Sequence, residues 1–123
     1  MNDRLETIEL ESEKQWLSLL ESSSETPVLV FKHSTRCPIS AEAHDQWLSY
    51  LGDSPNPDIE YAIVLVVESR PVSNLIADTL NVKHESPQAI LVKGRRAVWH
   101  TSHGRITEPV LREVLGGDSV TEM

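Results

Sequence analysis

Short apolar runs along the chain predict the strands of a β-sheet. The runs are rich in β-branched and aromatic residues and are bounded by proline, glycine or polar clusters. They cover residues 28–31, 59–67, 89–92 and 97–101. The last two flank Lys93-Gly94-Arg95-Arg96, which is the layout of a β-hairpin. The polar stretch at residues 33–37 is interpreted as a loop.

Four other segments repeat apolar residues at steps of three and four, which is the period of an amphipathic helix. Their start signals are, in chain order, a Ser-x-x-Gln capping box at Ser12, Pro38, Pro71 and a capping threonine, Thr107. Gly52 is expected to end the second helix, and Gly116-Gly117 the fourth. The sequence therefore predicts the order α, β, α, β, α, β, β, α.

This order predicts an α/β fold. A strand–helix–strand unit gives a parallel pair with a right-handed crossover, and the hairpin adds two antiparallel strands. The expected architecture is a thioredoxin-like fold: a central four-stranded mixed sheet flanked by helices, with an extra N-terminal helix. A four-stranded α/β sandwich of another topology is the alternative. We expect one domain over residues 1–123, with a flexible N-terminal segment at 1–10 and a flexible tail at 118–123.

Composition and charge exclude several classes of partner. The 123 residues carry a formal net charge of −8, which disfavours binding to nucleic acid and to anionic membranes. The sequence shows neither an apolar stretch long enough for a membrane span nor an export signal, so we expect a cytoplasmic protein. Residues 83–105 are locally basic, and we favour a solvated edge there over a site for an anionic small molecule. The oligomeric state stays open.

Cys37 is the single cysteine of the sequence and therefore acts, if at all, as one thiol. It directly precedes the helix that begins at Pro38, so it is expected at the N-cap. There the helix dipole, the neighbouring Arg36 and a hydrogen bond from Ser40 would each favour the reactive thiolate. A buried, inert cysteine is the alternative, but the polar flanking residues are not typical of a core.

Cys37-Pro38-Ile39-Ser40 has the spacing of a Cys-x-x-Cys redox motif with serine in the second position. A dithiol site resolves a mixed disulfide internally, whereas a single thiol stops at the mixed disulfide and needs an external thiol. The motif therefore favours exchange with a small thiol carrier.

Three segments together resemble the monothiol bacilliredoxins: residues 33–40, 84–88 and 99–103. The resemblance runs from about Phe31 to Thr107. It implies a thioredoxin-like fold and removal of bacillithiol from protein mixed disulfides in a reducing cytosol. It also implies that Cys37 is the attacking thiol and that Pro87 is a cis-proline which, with Ser86, shapes the substrate groove. Without the resemblance, an ordinary trans proline would be the expectation.

The resemblance implies no tightly bound cofactor. Its co-substrate would be bacillithiol or a related small thiol, and its partners S-thiolated client proteins. His33 is a further candidate, either as a residue that tunes the thiolate or serves a leaving thiol, or as a packed strand-end histidine. No metal site is expected, because His100 and His103 lack the further ligands that zinc needs.

Two rival functions stay open at this point. One is a thioredoxin-fold binding or adaptor module without turnover, in which Cys37 is only a modification target. The other is a transferase in which the small thiol is the nucleophile, so that activity would survive Cys37→Ser.

Overall fold

Over the residues that it describes, the computed structural model has a sheet of five strands with four α-helices around it. The structure describes residues 7–53 and 55–116. The strands are β1 (Thr7–Glu9), β2 (Val28–His33), β3 (Glu60–Leu65), β4 (Gln88–Lys93) and β5 (Arg96–Ser102). The helices are α1 (Glu13–Ser22), α2 (Pro38–Leu51), α3 (Arg70–Leu80) and α4 (Glu108–Leu115), and a short 3₁₀ helix spans His103–Arg105.

The strand order in the sheet is β1-β3-β2-β4-β5. β1, β3 and β2 are parallel, whereas β4 is antiparallel to both β2 and β5. The predicted parallel unit and the predicted antiparallel hairpin are both present. The α/β class with a mixed sheet is therefore confirmed.

Each face of the sheet is covered by a pair of helices. Apolar residues of α1 and α3, among them Trp16 and Ile76, pack on one face against Val28 and Val30 of β2. Residues of α2 and α4, among them Trp47, pack on the other face. Alternate residues of a strand point to opposite faces, so β2, whose six residues are all buried, supplies side chains to both cores.

The local signals for the helices are confirmed. The Ser12 hydroxyl accepts a hydrogen bond from the backbone N–H of Gln15, and the Gln15 side chain accepts one from the backbone of Ser12, which completes the capping box. Thr107 caps α4 through a hydrogen bond from Val110 N–H. Gly116 follows the last residue of α4 with φ of 82°, which glycine adopts without strain.

The prediction of four strands is wrong, because residues 7–9 add a fifth. Thr7, Ile8 and Glu9 pair in parallel with β3, and the following Leu10 is fully buried. Residues 7–10 therefore do not belong to a flexible segment. A three-residue strand shows too little alternation to be recognised before its partner strand is known. The other residues of that predicted segment, 1–6, and the predicted tail at 118–123 lie outside the described residues.

β2 also extends further than predicted. Lys32 and His33 continue the strand, and both are buried although they are polar. The strand continues because His33 pairs with Leu65 of β3 and Lys32 pairs with Gln88 of β4. The predicted loop therefore begins at Ser34.

Candidate active site

Cys37 lies at the N-cap of α2, as predicted. Its backbone is extended, with φ −116° and ψ 122°, and its carbonyl accepts the N–H of Ala41 to start the helix. Pro38 occupies the first turn, which contains no acidic residue, so no side-chain carboxylate in that turn offsets the positive end of the helix dipole. The thiol is half-buried and makes no capping hydrogen bond. This placement leaves the sulfur beside a region of positive potential.

Ser40, in the second position of the motif, is fully buried. Its hydroxyl oxygen accepts the backbone N–H of Ser34 at 2.9 Å and lies 2.8 Å from Nδ1 of His33. Within the described part of the chain, Ser40 makes no hydrogen bond to the Cys37 sulfur, contrary to the expectation from the motif, in which its hydroxyl or backbone N–H could donate one. The hydroxyl instead joins the end of β2 to the loop that leads to Cys37.

His33 is a packed strand-end histidine whose ring has one hydrogen-bond contact among the described residues, with Ser40. Its ring stacks on His44 of α2, with 4.5 Å between ring centroids, and lies 5.8 Å from the ring of Phe31. Burial lowers the pKa of His33 and the nearby His44 lowers it further, while Glu68 opposes the shift. The imidazole is therefore neutral at pH 7, with Nδ1 beside the Ser40 hydroxyl.

Sequence reasoning missed His44. The signal for it was its spacing, because Ser40 and His44 are four residues apart and so share one face of α2. Burial lowers the pKa of His44 as well, against an opposing effect of Asp45. Two neutral imidazoles and a serine hydroxyl thus lie under the first two turns of the helix that carries Cys37.

Arg36 is exposed at the surface of the loop. Its backbone N–H donates to the Ser34 hydroxyl at 3.3 Å, and its guanidinium forms no ion pair with any described residue. The neighbouring Thr35 hydroxyl donates to Glu68 at 3.5 Å. The guanidinium is consequently open to an anionic group that approaches the thiol.

The Ser86–Pro87 peptide bond is cis, as the family resemblance implied. Gln88 pairs with Lys32, so Ser86 and Pro87 lie beside the end of β2 that leads to Cys37. Within the described residues, no hydrogen bond involves the backbone of Ser86, and its buried hydroxyl also has no partner. The Pro87 carbonyl accepts the N–H of His103 at 3.0 Å. The free backbone of Ser86 suits pairing with an extended chain.

Two cavities flank the 3₁₀ helix next to these elements. One, of about 390 Å³, is lined by Ile39, Glu42, His103 and Gly104 among others. The second, of about 370 Å³, lies between Glu85 and Arg105. Ile39, which lines the first cavity and is half exposed, follows Cys37 by two residues, so this cavity lies against the first turn of the helix that Cys37 caps.

The remaining candidates form no further site in the described part of the chain. No group of three or more histidine, cysteine, aspartate or glutamate residues is arranged to hold a metal ion there. The basic side chains of residues 83–105 are exposed, and Arg95 pairs with Glu21 across the surface at 3.3 Å. In the same part of the chain, no helix has the length and apolar character to cross a membrane.

Comparison with known protein families identifies the relatives of this chain. The family model of the monothiol bacilliredoxins matches residues 8–111, which include the Cys-Pro-Ile-Ser motif and the cis-proline. The chain belongs to this family. The resemblance noted in the sequence is therefore confirmed, and a redox function of the thiol is supported at the level of the family.

Solved structures similar to this chain have the thioredoxin fold. One, described as a candidate oxidoreductase with that fold, is 37% identical with a TM-score of 0.75, over 87% of this chain and 91% of its own. Thioredoxin O2 from Arabidopsis thaliana is 21% identical with a TM-score of 0.70, over 93% and 95% of the two chains. Fasciola hepatica thioredoxin is 17% identical with a TM-score of 0.68, over 89% and 96%. The predicted thioredoxin-like fold is thus confirmed.

Proposed function

We propose that the protein is a monothiol thiol–disulfide oxidoreductase that removes bacillithiol from S-thiolated client proteins in the cytoplasm. The observation that carries the proposal is the placement of the single thiol. Cys37 lies at the N-cap of α2, and a buried serine takes the place of a second, resolving thiol. Such a site accepts a small thiol and has no second internal thiol to displace it.

In the first step, the Cys37 thiolate attacks the bacillithiol sulfur of the client mixed disulfide. A bond forms between Sγ of Cys37 and that sulfur, while the bond to the client sulfur breaks. The client thiolate leaves and takes a proton from solvent, so the client is reduced and Cys37 carries bacillithiol. The helix N-terminus stabilises the attacking thiolate.

In the second step, the thiolate of another bacillithiol attacks the bacillithiol sulfur bound to Cys37. The products are oxidised bacillithiol disulfide and the regenerated Cys37 thiolate, so over the cycle one reduced bacillithiol is consumed and the client disulfide is exchanged for bacillithiol disulfide. Bacillithiol is thus a co-substrate, and the mechanism uses no tightly bound cofactor. The guanidinium of Arg36, which forms no ion pair with the described residues, suits the malate carboxylates of bacillithiol.

The test is intact-mass spectrometry of the reduced protein after incubation with a bacillithiol-modified client. We expect one bacillithiol mass to appear on the wild-type protein and to disappear from the client. Cys37→Ser is the matched control, because it changes one atom of the only nucleophile under test.

The outcomes separate the candidate functions. No transfer to the wild-type protein contradicts the proposal and favours a binding module without turnover. Release of bacillithiol from the client by Cys37→Ser contradicts it in another way, because the small thiol would then be the nucleophile, as in a transferase.

A further inference from the structure

The loop between α3 and β4 is tied to four other parts of the molecule. Hydrogen bonds to residues 83, 84, 85 and 87 come from the side chains of Gln88, Lys32 and Ser102 and from the backbone of His103. Ser86, at the centre of these tethers, has neither its backbone nor its hydroxyl hydrogen-bonded within the described residues. These hydrogen bonds therefore fix the loop and leave the backbone N–H and carbonyl of Ser86 without a partner among the described residues.

The tether from Lys32 is chemically the most unusual of the four. Lys32 is fully buried in β2, on the face that packs against α1 and α3. Its Nζ donates to the Ser73 carbonyl at 3.1 Å and lies 3.1 Å from Nδ1 of His84. A buried ammonium is costly, and an apolar side chain of similar length would fill the same space without that cost. Packing alone therefore does not account for a lysine here.

The contact between Lys32 and His84 determines which ring nitrogen of His84 carries the proton. An ammonium group has three N–H donors and no acceptor. Nδ1 of His84 must therefore accept the hydrogen bond, and the proton of the neutral ring must lie on Nε2. The Ser73 hydroxyl, 3.3 Å from the same Nδ1, is compatible with this tautomer as a second donor.

We propose that Lys32 is a positioning residue for client docking, which holds His84 as the Nε2-protonated tautomer and thereby fixes the loop that presents Ser86 to an extended client chain. The inference rests on the proposed function, because it assigns this loop to the client. Among the described residues, the Lys32 ammonium is hydrogen-bonded to Ser73 and His84 and not to Cys37, so its role is one of positioning.

The tautomer requires that Lys32 is charged and His84 is neutral, and the surroundings of the two side chains favour these states. Burial lowers the pKa of Lys32 to about 8, so the ammonium form still predominates at pH 7. Burial also lowers the pKa of His84, as do the charges of Lys32 from β2 and Arg70 from α3, while Glu85 of the loop opposes them. At neutral pH, a charged Lys32 thus faces a neutral His84.

The direct test is NMR spectroscopy of the protein with ¹⁵N-labelled histidine at pH 7. The wild-type spectrum is expected to show His84 as a single tautomer, with a bare Nδ1 and a protonated Nε2. In Lys32→Met, the two nitrogen shifts are expected to move toward averaged values. A proton on Nδ1 in the wild type, or an unchanged His84 spectrum in Lys32→Met, would overturn the proposal.

The kinetic test compares two substrates, the bacillithiolated client and the small reagent dipyridyl disulfide. Lys32→Met is expected to lower kcat/KM for the client by about tenfold or more, because a displaced docking loop misplaces the client. The rate with dipyridyl disulfide should change less than about twofold, because that reagent needs no docking. Equal losses with both substrates, or no loss with the client, would contradict the role of Lys32.

Two controls complete the design. Lys14→Met makes the same substitution at an exposed lysine of α1 that, among the described residues, has no hydrogen bond to the loop, so the client rate should stay near that of the wild type. In the double variant with His84→Gln, adding Lys32→Met should cause no further loss, because Lys32 acts through His84. A further loss of full size would refute that route.

The result is separable from the proposed function. If the wild-type protein transfers no bacillithiol, the proposed function fails, while the NMR spectra still decide the tautomer. If Lys32→Met does not fold, a titration of the wild-type protein decides instead. The ring nitrogens of His84 should then respond as Lys32 loses its proton near pH 8, and no response would refute the contact.

Discussion

At Ser40, this site differs from a dithiol site in one atom. The serine hydroxyl lies where a resolving sulfur would be, three residues after Cys37. It forms hydrogen bonds with Nδ1 of His33 and with the backbone N–H of Ser34. The same atom thus prevents internal resolution and ties the loop to β2. Chemistry and local structure are linked at a single residue.

Ser40→Cys is expected to restore internal resolution. After Cys37 has taken bacillithiol from a client, the introduced thiol attacks Sγ of Cys37 and releases bacillithiol. Intact-mass spectrometry should then show a protein two hydrogens lighter than its reduced form, where the wild type keeps the bacillithiol adduct. Ser40→Ala is the control and should keep the adduct. An adduct that persists in Ser40→Cys would contradict this geometry.

Among the elements, β1 is the one whose importance the sequence pattern hides. It has three residues, yet it forms an edge of the sheet and leads into the fully buried Leu10. The hydrogen bond from Leu10 N–H to the Ile63 carbonyl, at 2.8 Å, continues the pairing with β3. Through Leu10, the segment therefore contributes to the core that α1 packs against.

Leu10→Ala is expected to lower the free energy of unfolding by about 2–5 kcal/mol, the usual range for a truncated core leucine. Leu17→Ala is the matched control, because Leu17 lies on α1 but is 48% exposed, and its effect should stay within about 0.5 kcal/mol. Urea denaturation measures both. Equal effects of the two substitutions would argue that the N-terminal segment does not contribute to the core.

The helices could be predicted from the sequence because their signals are local. Ser12, Pro38 and Thr107 each mark a helix start within a few residues, and Cys37 follows from Pro38. The extension of β2 could not be predicted, since Lys32 and His33 are polar and become strand residues only through their partners. The contact of Lys32 with His84 joins residues 52 positions apart, beyond any local pattern.

At the scale of the whole molecule, the end of β2 connects two loops through opposite faces of the sheet. Lys32 and His33 are neighbours in the strand, so their side chains point to opposite sides. His33 reaches Ser40 and the Cys37 loop, whereas Lys32 reaches His84 and the cis-proline loop. The two halves of the candidate site are thus held from one strand.

The stability of the molecule is expected to fall as the pH drops from 7 to 5. Burial is the first cause that lowers the pKa of His33, His44 and His84 below the usual 6.5. Below pH 6.5, the unfolded chain therefore binds more protons than the folded one, and stability decreases until the folded-state pKa values are reached. Well above pH 6.5, where both the folded and the unfolded chain carry neutral histidines, this effect is absent.

Urea denaturation at several pH values measures this dependence. His33→Phe keeps the aromatic stacking but removes one titrating group, so its loss of stability between pH 7 and 5 should be smaller than that of the wild type. The hydrogen bond from Ser102 lowers the pKa of the Glu85 carboxyl below the usual 4.5, so its effect on stability falls mainly below pH 5. A free energy of unfolding that is constant from pH 7 to 5 would contradict the assignment of neutral, buried imidazoles.

Because the protein has a single cysteine, its modified fraction depends on the small-thiol pool in a different way from that of a dithiol protein. In a dithiol protein, the oxidised fraction at equilibrium depends on the square of the reduced small-thiol concentration, because two molecules of that thiol are needed to open an internal disulfide. In the proposed mechanism, Cys37 exchanges one small thiol at a time, so its loaded fraction depends only on the ratio of oxidised to reduced small thiol. Dilution of the whole thiol pool leaves that fraction unchanged, and the protein responds to the oxidation state of the pool rather than to its size.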